Sequence, residues 1–275
     1  MKKFLALVLA ALMVFAFVAC NGTGKDNNGA SDASNASDTS DTSDTTEKAT
    51  LIMATNAAFP PYEYKEGESF AGIDVEIAGK IAEKLGMTLE IKDVEFGSII
   101  GGVQTGKFDI GMAGMTVTDE RLKSVNFSDS YATGIQVVIV KADSEIKSLD
   151  DLKGDGSMKF GVQQDTTGDI YASDTVENGG YGKDNVVRYK TGADAVQALK
   201  TGKVDAVIID NEPAKSFVSA NEGLSILDGS WVEENYAIAI AKENTELLEK
   251  VNGALKELIA DGTVKAIIDK YIPAE

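Results

Sequence analysis

From residue 50 onward the chain alternates short apolar runs with longer stretches in which apolar side chains return every three or four positions. LIMAT (51–55) and TLEIKDV (88–94) have the length and composition of strands, whereas DVEIAGKIAEKL (74–85) sets Val75, Ala78, Ala82 and Leu85 on one helical face. SIIGGVQ predicts a helix and FDIGMAG the strand after it. The same grammar then returns. MKFGVQQ, VVRYK and VDAVIID predict strands, and GDIYASDTVENG and GADAVQALKTG predict helices. The closing NTELLEKVNGALKELIADG carries Leu247, Leu248, Val251, Leu255, Leu258 and Ile259 at i, i+3/i+4 spacing, which predicts a helix facing a core. Repeated β–α–β steps imply parallel strands with helices on both faces.

One unit appears twice. TGKFDIGMAG (105–114) and TGKVDAVIID (201–210) each follow a helical segment and run through Thr-Gly-Lys-apolar-Asp into an apolar strand. The first leads to TVTDER and a cation, the second ends on the anion Asp210. Two further segments, SDSYATGIQVVIV and WVEENYAIAIAK (231–242), are long enough to cross between two halves of a body. Two crossings make a hinge and return the C-terminal helix to the first half.

The N-terminal part follows other rules. MKKFLALVLAALMVFAFVAC has two lysines and an apolar run from Phe4 to Ala19, too short for the ~20 residues of a spanning helix and shaped like a secretory signal. A small residue followed by Cys20 resembles the lipobox of bacterial lipoproteins, with Phe17 where Leu is usual. Residues 1–20 are thus expected to be a lipoprotein signal peptide and Cys20 the lipidated residue. Residues 21–49, rich in Ser, Thr and Asp, carry too little apolar surface to fold and predict a flexible tether. About 28 such residues have an r.m.s. span of roughly 30 Å.

Composition narrows the chemistry. A net charge of −18 excludes a nucleic-acid binder, which needs a basic face. With no histidine, Ser-His-Asp and Cys-His catalysis and His-ligated zinc are excluded, and one cysteine makes no internal disulfide. Glycine spacing gives no phosphate loop and the acids show no metal-site spacing, so neither cofactor nor metal is expected.

Ligands of open α/β sheets bind beyond the carboxyl ends of strands. Thr118 reads as an N-cap with Asp119 and Glu120 in the first turn. That leaves Arg121 either paired with those acids on the surface or turned into a cleft as a fork for a carboxylate. Asp210 reads as a cap for a helix entering at Pro213 or as a cleft anion, and Asn211 offers the alternative cap. Thr166-Thr167-Gly168 opens a helix whose N–H groups suit an anion. Phe59 and Phe96 lie near strand ends, where such residues are more often core than ligand shelf.

GIDVEIAGKIAEKL (72–85) closely resembles the signature of family 3 bacterial extracellular solute-binding proteins, the polar amino-acid receptors of ABC importers. TNAAFPPYEY (55–64), FGSIIGGVQTGKFDIGMAGMTVTDER (96–121), VNFSDSY (125–131), VIID (207–210) and VNGALKELIADGT (251–263) agree in order, so the resemblance covers nearly everything after the tether. It implies a two-lobed periplasmic-binding-protein-like fold of type II, α/β, with two parallel or mixed sheets joined by two hinge strands. Lobe 1 would be 50–134 and 235–275, and lobe 2 would be 135–234.

The resemblance also implies roles. Arg121 would clamp a ligand α-carboxylate with Thr116 and the N–H of Thr167. Asp210 would take the α-ammonium with the carbonyl of Gly114. Phe59 and Phe96 would sandwich the side chain, with Asn56, Gln163 and Tyr62 around its tip. Asn56 stands where many glutamine- or basic-amino-acid-binding relatives carry Asp, and Asp165 stands where Gly is frequent, so specificity stays open between polar and basic L-amino acids. The partners implied are the free amino acid, the ABC permease with its ATPase, and the membrane through the lipid anchor, for an extracytoplasmic monomer. The Asp74 of the signature is expected to cap its helix. Two alternatives share the fold: an enzyme of the dehydratase kind, or a lobe of a peptidoglycan lyase, and an amino-acid-sensing surface receptor.

Overall fold

The computed structural model describes residues 48–229 and 231–273. The expected signal peptide, Cys20 and the tether up to residue 47 lie outside the described residues.

The chain enters through β1 (Thr50–Thr55), makes a small antiparallel sheet of β2 (Ala58–Phe59), β3 (Glu63–Glu66) and β4 (Ser69–Ala71), and rises through α1 (Ile73–Lys84) to β5 (Thr88–Asp93). A 3-10 turn at Phe96–Ser98 leads into α2 (Ile99–Gln104), then β6 (Ile110–Gly111), the single turn α3 (Asp119–Leu122) and β7 (Val125–Phe127). Next come β8 (Ala132–Lys141), β9 (Phe160–Gln163), α4 (Thr167–Ser173), β10 (Val186–Tyr189), α5 (Gly192–Lys200), β11 (Ala206–Asp210), α6 (Asn211–Ala220) and β12 (Leu224–Ile226). The chain ends with β13 (Val232–Tyr236), β14 (Ala239–Ala241), α7 (Thr245–Ala260) and α8 (Thr263–Tyr271).

Two mixed sheets result. One has the order β5-β1-β6-β14-β7, the other β10-β9-β11-β8-β12 with β13 also on β8. The β–α–β steps give the parallel pairs β1–β5, β1–β6, β9–β10 and β9–β11. The antiparallel strands are β8 with its partners β11, β12 and β13, and β14 with β6 and β7. The chain passes from the first sheet to the second between Phe127 and Ala132, and returns between Tyr236 and Ala239.

Burial locates the helical faces more finely than the spacing did. On α1 the buried residues are Ile73, Asp74, Ile77, Ala78, Ile81 and Ala82, with Val75 and Leu85 only half-buried, so the core stripe runs through the isoleucines. It packs against α7 and α8 through Val251, Leu255, Leu258, Val264 and Ile267. Ile259, expected in that face, is 46% exposed. A helix turns 100° per residue, and centring the stripe on Val251, Leu255 and Leu258 rotates Ile259 outward. GDIYASDTVENG ends its helix at Ser173 and continues as a 3-10 turn at Val176–Asn178.

Asp74 does not cap α1. The N-cap position is Gly72 and no side chain caps it. Asp74 is instead fully buried, accepting hydrogen bonds from the Gly114 N–H and the Tyr131 hydroxyl, each at 2.8 Å. One carboxylate thereby ties the loop after β6 to the start of the first crossing.

Candidate functional site

The carboxyl ends of β1, β6, β9 and β11 converge on one small, tightly closed cavity. Its wall includes Asn56, Phe59, Phe96, Gly114, Thr116, Arg121, Gln163, Thr167 and Asp210, so every residue expected to touch ligand lines it except Tyr62. Tyr62 is buried behind Phe59, its ring edge-on to Tyr236 at 5.1 Å, and it faces a second recess behind the crossings. Its position three residues past Phe59, after a Pro-Pro turn, carries the ring to the far side of the loop.

Arg121 is only 8% exposed and is not a surface partner of the neighbouring acids. Thr118 caps α3 by accepting from the Arg121 N–H at 3.2 Å, which fixes the backbone while the side chain turns inward. The guanidinium donates to the Thr116 carbonyl at 2.7 Å and to the Asp165 carbonyl at 3.1 Å, and lies 5.3 Å from the Phe96 ring centre. Burial lowers its pKa, and the charges of Glu234 and Asp210 oppose that shift. Glu120 is left to Lys123.

Asp210 stands at the N-cap position of α6, which begins at Asn211, earlier than the helix start expected at Pro213. Its carboxylate makes no cap bond and accepts instead from the Tyr236 hydroxyl. Burial, and then the nearby charge of Glu234, push the Asp210 pKa up to about 7. Gly114 has φ 51, a backbone state that favours glycine, and a Cβ there would lie 2.9 Å from the Phe59 ring. Thr166 caps α4, leaving Thr167 at the first helical position, where a backbone N–H has no intrahelical acceptor.

The two halves are closed on one another across this cavity. Gln163 donates its amide to Asn56 Oδ1 at 2.9 Å, and Asn56 donates to the Val94 carbonyl at 2.8 Å. Lys190 meets Glu95 at 2.5 Å at the exposed rim, a contact of the kind that contributes little in water. Asp165 has φ 65, the left-handed state that a glycine at this position takes without strain. Its carboxylate packs against Gly97, where a Cβ would collide with it.

Two acids at the cavity carry no motif of their own in the sequence. Glu63 also lines the cavity, is 1% exposed, and faces the Asp74 carboxyl. Burial, and next the charge of Asp74, raise its pKa well above the carboxylate range. Glu234, on β13, accepts from Thr116 Oγ1 at 3.0 Å and Gln136 Nε2 at 3.1 Å. Strict alternation in VEENY places Glu234 on the same face as Tyr236, a signal that was available. Among the described residues no cluster of acids or cysteine is arranged to hold a metal ion, and no helix is long and apolar enough to cross a membrane.

The cavity thus brings together a cation, Arg121, and an anion, Asp210, with hydrogen-bond donors and the aromatic rings of Phe59 and Phe96 on the same wall. The model for bacterial extracellular solute-binding proteins, family 3, matches residues 51–274. The arginine-binding extracellular protein ArtP of Bacillus subtilis (strain 168) is 35% identical over 278 residues, covering 100% of both chains. An ancestral arginine-binding protein solved with arginine is 41% identical at TM-score 0.74, covering 82% of this chain and 98% of that one; solved with glutamine, it is 40% identical at 0.75, covering 82% and 99%. AncCDT-1, an ancestral amino-acid-binding protein described as a precursor of cyclohexadienyl dehydratase, is 33% identical at 0.72, over 81% and 95%. The fold is that of the type II periplasmic amino-acid-binding proteins, and the chain belongs to family 3 of the bacterial extracellular solute-binding proteins.

Proposed function

We propose that this chain captures a free L-amino acid with a cationic side chain, arginine first, and delivers it to the permease of an ABC importer. Arg121, Thr116 and the Thr167 amide take the α-carboxylate. Asp210 and the Gly114 carbonyl take the α-ammonium, and Phe59 and Phe96 flank the side chain. Lobe 1 comprises 50–134 and 235–275, lobe 2 comprises 135–234, and capture stabilises the closed arrangement because one zwitterion meets charges from both. Cys20 carries the lipid that holds the receptor, as a monomer, on the extracytoplasmic face of the membrane.

The observation that carries the side-chain preference is Glu63, a buried carboxyl at the cavity wall beside the Asp74 carboxyl. Two carboxyls side by side out of water resist joint ionisation, and a guanidinium reaching the wall would let Glu63 ionise and would take both its oxygens at once. The arginine named in its relatives supports the same choice. Asn56 and Gln163, already bonded to each other, offer a neutral side chain less.

Glu63→Gln tests this. L-Arginine affinity should fall by about 30-fold or more while L-glutamine affinity stays within about threefold, measured by calorimetry. Equal losses for the two ligands would contradict the role given to Glu63. The dehydratase alternative is tested by incubating the protein with candidate substrates: stoichiometric binding without turnover is expected.

A further inference from the structure

Thr116 has one hydroxyl hydrogen, and in this structure it is given to Glu234. The same hydroxyl is needed for the α-carboxylate in the amino-acid reading above, on which this inference rests. Glu234 is 4% exposed and also faces the Tyr171 hydroxyl and the Asp210 carboxyl. Through Gln136, which donates to both Glu234 and Thr167 Oγ1, it reaches the side chain of the residue whose backbone N–H is the other donor expected for that carboxylate. It is also the first of the acids whose charge acts on Arg121.

Glu234 therefore sits as a carboxylate among the groups gathered for a carboxylate. We propose that it is an internal competitor of the ligand: it holds the Thr116 donor and offsets the Arg121 charge until an amino acid takes both over, and so sets the affinity of the site. Its strand supplies the geometry. Thr116 is bridged to Tyr236 of β13, which sets Glu234, two residues earlier on the same strand, beside the Thr116 hydroxyl.

The second consequence concerns Asp210. Like charges a short distance apart resist joint ionisation, so Glu234 favours the protonated form of the acid that must pair with the ammonium. The ionisable groups facing this pair are Arg121 from α3, Tyr171 from α4, Tyr236 from β13 and Tyr62 from the loop after β2. Arg121 favours the ionised acids, and the phenols stay neutral, their pKa values all raised first by burial. Asp165, Glu212, Asp74 and Glu63 form the next ring of acids and add to the negative field.

The test is calorimetric titration of wild type and Glu234→Gln with L-arginine and L-glutamine from pH 5.5 to pH 8.5, with unliganded melting curves as a folding control. The isosteric amide is expected to tighten binding of both ligands about tenfold at pH 7 and to move the acid-side loss of affinity to lower pH. A merely structural Glu234 would leave the pH profile in place. Glu234→Ala serves if the amide fails to fold, with the same direction expected. Unchanged or weaker binding by a folded variant, with an unmoved profile, overturns the competitor role. Failure of wild type to bind either amino acid overturns the amino-acid reading and this inference with it.

Discussion

Arg121→Ala is expected to abolish measurable amino-acid binding in a protein that still folds. The guanidinium is buried against Phe96 and anchored by the carbonyls of Thr116 and Asp165, so it meets a carboxylate pre-positioned and largely stripped of water. Truncating one member of such a desolvated charge pair costs roughly 3–5 kcal/mol, about two to three and a half orders of magnitude in Kd. The two carbonyls lose a donor, but the truncation opens room for water to replace it, so unfolding is not expected. Calorimetry beside a melting curve separates the outcomes. Near-wild-type affinity would remove Arg121 from the site.

Asp210→Ala is expected to have a comparable effect at the other end of the ligand, with a pH signature that Arg121 does not share. The Asp210 carboxyl is raised to about 7 by burial and by Glu234, against hydrogen bonds from Tyr236 and Gln136 that lower it. A raised carboxyl is protonated on the acid side, and only its ionised form attracts an ammonium. Wild-type affinity should therefore fall as pH drops through about 7, by up to tenfold per pH unit below it, and level off above. Asp210→Ala, weaker by about 3 kcal/mol at pH 8, should lose most of that dependence. A wild-type Kd unchanged between pH 8 and pH 5.5 would contradict the pairing.

Much of this arrangement was legible in the sequence. Strand runs and helical spacing gave the β–α–β order, and the doubled Thr-Gly-Lys-x-Asp unit marked the steps whose ends, beyond Gly114 and at Asp210, reach the cavity. What escaped depends on contacts distant in sequence. The two-residue β6 lies between β1 and β14, a partner more than a hundred positions later. Asp74 looked like a cap because an acid in a first turn usually serves the dipole; its actual partners, Gly114 and Tyr131, come from two other segments. Glu63 and Glu234 carry no motif of their own, and period-two alternation names a face without saying which face is buried. Glu63 lies at the cavity wall, and Glu234 accepts from Thr116 behind it.

Titrating the mature wild-type protein with L-arginine at pH 8 in a calorimeter tests the central claim most directly. One-to-one binding is predicted, with a stability gain of about 2.7 kcal/mol when arginine is present at 100 times its Kd. A flat titration, with no common amino acid shifting the melting curve, would contradict it.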